Sequence, residues 1–120
     1  MTYLASPYSH VTQEKRILRF IQARSAVIRL AKQGTIVFSP IVYSHQLAQY
    51  IGVIFEPWRE FDLAIIDAAS ELWVLTLDGW RESVGVTAEI EYATSLGKPV
   101  RYIDHVTLAI SDTRPDSQNP

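Results

Sequence analysis

The chain contains no cysteine. That excludes a disulfide framework and any thiolate metal site. None of its 120 residues belong to an apolar run long enough for a membrane span, and the opening MTYLASPYSH has no basic region ahead of an apolar one. A cytoplasmic protein is the expectation. Lysine and arginine form no cluster and the net charge is −2. A nucleic-acid polymer is therefore not an expected partner, although a small phosphorylated ligand needs only one or two cations. His10, His45 and His105 are scattered, with no pair at helical ligand spacing, so no metal is expected. Gly-x-Ser-x-Gly is missing, which removes an esterase elbow. The G-x-G-x-x-G fingerprint is missing after the first apolar segment, which disfavours NAD; no cofactor is expected. What is present is ordinary for one globular domain, 48% hydrophobic and 20% charged.

Residues 1–5, 35–38, 72–77 and 100–103 are short, apolar or β-branched, and read as buried strands. Residues 11–33 read as a long helix. Phe20, Ala23, Val27 and Leu30 make its apolar stripe; Lys15, Arg19, Gln22, Arg29 and Gln33 share a polar face, and Gly34 ends it. Ser39-Pro40 stops the second strand. Residues 44–51 suggest a short helix, residues 52–55 are ambiguous, and Pro57 suits the first turn of a helix running to about residue 69. Alternating strands and helices predict a mostly parallel sheet covered on both faces. The fold expected is a three-layer α/β, Rossmann-like (flavodoxin-like) domain over residues 1–111, with 112–120 as a tail. Ligands of such sheets bind beyond the C-terminal strand ends. That gathers residues 6–10, 39–45 and 78–83 around one crevice.

Residues 78–99, DGWRESVGVTAEIEYATSLGKP, organise the rest. Asp78-Gly79 is a turn signal, Ser83 a candidate N-cap, Gly97 a candidate for the left-handed position after the last turn, and Pro99 a stop. Val86, Ile90 and Ala93 form an apolar stripe with a carboxylate on either side. Glu91 has Thr87, Ala88, Thr94 and Ser95 three and four residues away, so it faces water. Glu89 has Gly85, Val86, Tyr92 and Ala93, so it sits at the core edge. A half-buried carboxylate there suits a nucleophile; a surface glutamate whose stem covers apolar atoms is the alternative. Asp62 has Trp58, Ile65 and Ile66 at helical spacing. A carboxylate on that face needs a function or a partner such as Arg59 or Arg81. Trp80 could stack on a base and Arg81 pair with phosphate, or both could be surface residues. His45 could contact a base or phosphate, or be solvated.

The pattern S-x-G-x-x-x-E-x-x-x-A followed by G-K-P, carried by Ser83, Gly85, Glu89, Ala93, Gly97, Lys98 and Pro99, resembles the nucleophile helix of the nucleoside 2-deoxyribosyltransferase superfamily. It is most similar to the branch that hydrolyses 2'-deoxynucleoside 5'-monophosphates. Residues 3–10, YLASPYSH, resemble that superfamily's first strand and loop, with Tyr3 at its active-site tyrosine; a core aromatic is the other reading of Tyr3. The monophosphate hydrolases have a Gly- and Arg-containing loop where this chain has Pro7, Tyr8, Ser9 and His10. In that loop it is closer to a less characterised group opening Y-L-A-x-P-Y. D-L-A-x-x-x-x-A at Asp62 resembles the second carboxylate, whereas Asp67 lies too near the strand. The resemblance implies Glu89 as nucleophile, Asp62 as proton donor to the base, and Tyr3 holding Glu89. Ser83 would contact a 5'-phosphate, with Gly85, Ser6, Pro7 and Tyr8 also at the substrate. It implies N-glycosidic cleavage of a nucleotide without metal or cofactor, in a homodimer or larger assembly completed by a neighbour's residues 106–120. A deoxyribosyltransferase and a non-catalytic nucleotide sensor are the alternatives.

Overall fold

Alternation along the first strand decides which helices cover which face of the sheet. Successive strand side chains point to opposite faces. In the computed structural model, which describes residues 1–52 and 56–115, β1 (Thr2–Ala5) sends Tyr3 and Ala5 into one core cluster with Ile66, Val86 and Ala93. Leu4 enters the other cluster, with Ala23, Ala26 and Leu30. The two sides are thus covered by different helices, and the domain is three-layer α/β and Rossmann-like. Leu4, Leu72, Val74, Leu75 and Ile103 are at most 1% exposed. Each such side chain stabilises the fold by about 1.5–3 kcal/mol.

The order continues α1 (Gln13–Lys32), β2 (Val37–Phe38), α2 (Pro40–Ile51), α3 (Pro57–Ala68), β3 (Glu71–Leu75), α4 (Val84–Ser95), β4 (Val100–Ile103) and β5 (Ile110–Ser111). The sheet runs β2-β1-β3-β4-β5, parallel except for β5. Among the described residues no helix is long and apolar enough to cross a membrane.

The structure differs from the sequence reading at three places. Pro40 does stop a strand, but it also starts α2 four residues before the expected helix: the Ser39 hydroxyl accepts from the Val42 N–H at 3.2 Å, and proline fits the first turn. The antiparallel β5 was not expected; it is two exposed residues at the sheet edge, too short for an alternation signal. Arg19, read as part of a polar face, is only 8% exposed. The ambiguous residues beyond 52, like 116–120 of the tail, lie outside the described residues.

Lys98, from the G-K-P segment, is a structural residue. Its ammonium donates to the carbonyls of Ile66, Asp67 and Ala69 at 2.8, 2.6 and 2.5 Å. Those carbonyls close the end of α3, where Ile66 also accepts from the Ala69 N–H and a cation meets the negative end of the helix dipole. The lysine therefore ties α3 to the segment after α4.

Candidate functional site

The sheet order turns back between β1 and β3, so the loops leaving these strands part and open a cleft. It has a volume of about 860 Å³. Ser6, Tyr8 and Ser9 line it after β1, Gly79 and Ser83 after β3. Pro40, Ile41 and Ser44 line it from the start of α2, so the three expected segments do gather at one crevice, and α3 and α4 add their own side chains.

Glu89 lines the cleft from α4, and Tyr3 is fully buried behind it. The Tyr3 phenol donates a short hydrogen bond to Glu89 Oε2. Ser83 accepts from the Val86 N–H at 3.1 Å and so fixes the first turn of α4. Val86 and Ala93 are buried, Ile90 packs on the core, and Glu91 is exposed. The wheel reading of the two glutamates is what the structure has. Asp62 reaches the cleft from α3 and, among the described residues, pairs with no cation, neither Arg59 nor Arg81. Asp67 is exposed and accepts from Tyr92 at 2.6 Å, away from this group.

Burial dominates the electrostatics. It pushes Glu89 up to about 8, against the Tyr3 hydrogen bond, which favours the ionised form, and with Asp62 raising it further. Burial pushes Asp62 up to about 6. The Tyr3 phenol is raised far above its ordinary range, first by burial and then by Glu89 and Asp62, so it remains a donor at any working pH. Two carboxyls with raised proton affinity thus face one cleft, and a buried phenol holds one of them, Glu89; groups so perturbed are of the kind found in acid–base sites.

This arrangement costs stability in a defined pH window. The Glu89 carboxyl binds its proton more tightly folded than unfolded, so its contribution is fully present below about 4.5 and is lost as pH rises through about 8. Glu89→Gln keeps the shape and removes the buried charge. We expect its melting temperature to match the parent at pH 4.5 and to exceed it by roughly 4 °C or more at pH 9. Calorimetry at both pH values checks this; equal shifts at both would mean that Glu89 is not ionised at a buried position.

Other expected site residues are placed elsewhere. Trp80 does not line the cleft: it is 4% exposed, packed on Tyr102 at 5.5 Å between ring centroids. A loop tryptophan is drawn into the core here because Tyr102, on β4, offers it an aromatic partner. Arg81 also turns away. Its guanidinium lies 4.7 Å from the Trp80 ring centre and donates to the Pro115 carbonyl at 3.1 Å. Pro7 is fully buried and does not line the cleft either. His45 stacks on Phe20 at 4.1 Å and shares a 2.7 Å hydrogen bond with the Tyr8 phenol, beside a smaller cavity of about 240 Å³. Gly85 and Ser83 line the main cleft as expected. Sequence reading missed Trp58 and Arg19, both on the cleft wall. Trp58 had a signal, one turn before Asp62 on the same face. Arg19 had little, since Lys15, Arg16 and Gln22 at helical spacing are polar and only Ala23 is apolar.

Among the described residues no three histidines, aspartates or glutamates gather so as to hold a metal. A family model described as "Domain of unknown function (DUF1937)" matches residues 1–105. No curated protein matches the chain.

Proposed function

The chain belongs to the DUF1937 family, a domain of unknown function, and from its own residues we propose that it hydrolyses the N-glycosidic bond of a (deoxy)nucleoside 5'-monophosphate. The observation that carries this reading is the buried Tyr3 phenol bonded to Glu89 in a cleft that also holds Asp62. The resemblance of the Glu89 helix to the nucleoside 2-deoxyribosyltransferase superfamily supports it independently. Glu89 attacks the anomeric carbon; the bond from that carbon to the base nitrogen breaks, and the base leaves with the proton from Asp62. Tyr3 keeps the attacking oxygen in line. Water then attacks the anomeric carbon of the glycosyl ester, gives its proton to Asp62 and its hydroxyl to the sugar, and frees Glu89. Free base and a sugar phosphate result.

The Ser83 cap, at the start of a 12-residue helix lining the cleft, favours a phosphorylated substrate over a bare nucleoside. Nucleosides and their monophosphates, incubated with the protein and resolved for free base, should show turnover of monophosphates at least tenfold faster. Faster turnover of nucleosides would overturn the phosphate reading. A free acceptor base added to the same reactions separates hydrolysis from transfer, because transfer yields a new nucleotide. Binding without base release would leave a sensor. A second copy of the chain, completing the cleft with its C-terminal region, is part of the same reading.

A further inference from the structure

We infer that Arg19, with Ser6 and the start of α4, forms an anion subsite that takes the phosphate monoester of the substrate. This rests on the phosphorylated-substrate reading and names the residue that supplies the positive charge.

Arg19 is only 8% exposed, yet among the described residues no carboxylate lies within ion-pair reach of it. Its Nη1 donates to the Ser9 carbonyl at 2.8 Å and its Nη2 to the Asp78 carbonyl at 3.3 Å. Both partners are neutral, and the third donor, Nε, has none in the protein. Arginine cannot shed its proton, so this buried charge stands uncompensated. The Ser6 hydroxyl is also buried without a protein partner, at 6% exposure. Both side chains line the main cleft, as do Ser83 and Gly85. Ser83 Oγ satisfies Val86, while the N–H groups of Val84 and Gly85, at the helix start, have no intrahelical acceptor. A guanidinium, a hydroxyl and free helix N–H groups are the donors a phosphate dianion needs.

The backbone is built around this guanidinium. Gly79 has φ +90°, and a Cβ there would lie 2.4 Å from Arg19 Nη2. At that φ an L side chain is strained and would also displace the guanidinium, so glycine lets the β3–α4 loop close over the arginine. The nearby acids do not neutralise it: Asp78 is exposed and pairs with Lys15 at 3.5 Å, and Glu82 is exposed on the rim. Arg59, the other arginine on the cleft wall, is exposed and thus less pre-organised.

The test uses the full chain carrying Glu89→Gln, so that binding is read without turnover, and inorganic phosphate as the titrant in calorimetry. Saturable binding is expected. Ser6→Ala should weaken it about tenfold with an unchanged melting temperature, because that hydroxyl has no protein partner to lose; Arg19→Gln should weaken it by roughly 100-fold, and Arg19→Lys by less. If Arg19→Gln does not fold, Ser6→Ala and Arg19→Lys decide. No saturable phosphate binding, or binding that Ser6→Ala leaves unchanged, overturns the subsite. The reaction reading fails separately. Arg19-dependent phosphate binding without any base release keeps the subsite and removes the hydrolase; base release from monophosphates by a protein with unaltered phosphate binding in Ser6→Ala does the reverse.

Discussion

Replacing Glu89 by alanine should reduce base release on the order of 10⁴-fold or more, the scale seen when a covalent nucleophile is removed. Glu91→Ala, two residues on, should retain nearly all activity. Both are acids on one helix, so a general loss of negative charge affects them alike. Only their surroundings differ: Glu89 faces the cleft and receives the Tyr3 phenol, whereas Glu91 is exposed. Single-turnover base release, with circular dichroism to verify folding, makes the comparison. Equal loss in the two variants, or full activity in Glu89→Ala, would remove Glu89 from the mechanism.

Asp62→Asn should cost about 10²–10⁴-fold with ordinary bases, the usual range for a general acid. The loss should nearly vanish when the leaving base is an N7-methylated purine, which departs neutral and needs no proton. The pH profile of the parent is fixed by the same pair. Catalysis needs one proton shared between Glu89, pushed up to about 8, and Asp62, pushed up to about 6. kcat/KM should therefore be bell-shaped with its maximum near neutrality, and the two limbs belong to the pair rather than to either residue. Asp62→Asn should abolish the alkaline limb and leave a single rise with Glu89 ionisation. An unchanged bell, or equal losses for methylated and ordinary bases, would assign Asp62 a purely structural part.

What the sequence shows of this site is what local spacing can encode. Ser83, the Val86 and Ala93 stripe, and the contrast between Glu89 and Glu91 all follow from residues within one helix, and the structure has them as read. The crevice itself follows from strand–helix alternation. The failures are of another kind. Pro40 carries two meanings, strand stop and helix start, and the sequence signal does not separate them. Trp80 reads as either a base platform or a surface residue, and is neither, because its partner Tyr102 is on a later strand. Arg19 has polar neighbours at helical spacing except for Ala23, and the closure of two distant loops buries it. Contacts between elements decided the last two, and no periodicity within one element reports them.

The bond between Tyr3 and Glu89 joins residues 86 positions apart. Bringing such distant segments together has an entropic cost that only the assembled sheet offsets, and contacts of long sequence separation form slowly. The helices can regain their hydrogen bonds early in refolding, while the phenol still lacks its acceptor. Refolding therefore restores helix content before it restores the raised proton affinity of Glu89, and chemical competence arrives with the final contacts. On the proposed function a partly folded chain is by the same argument inert: its glutamate is an ordinary solvated acid until β1 and α4 share one core.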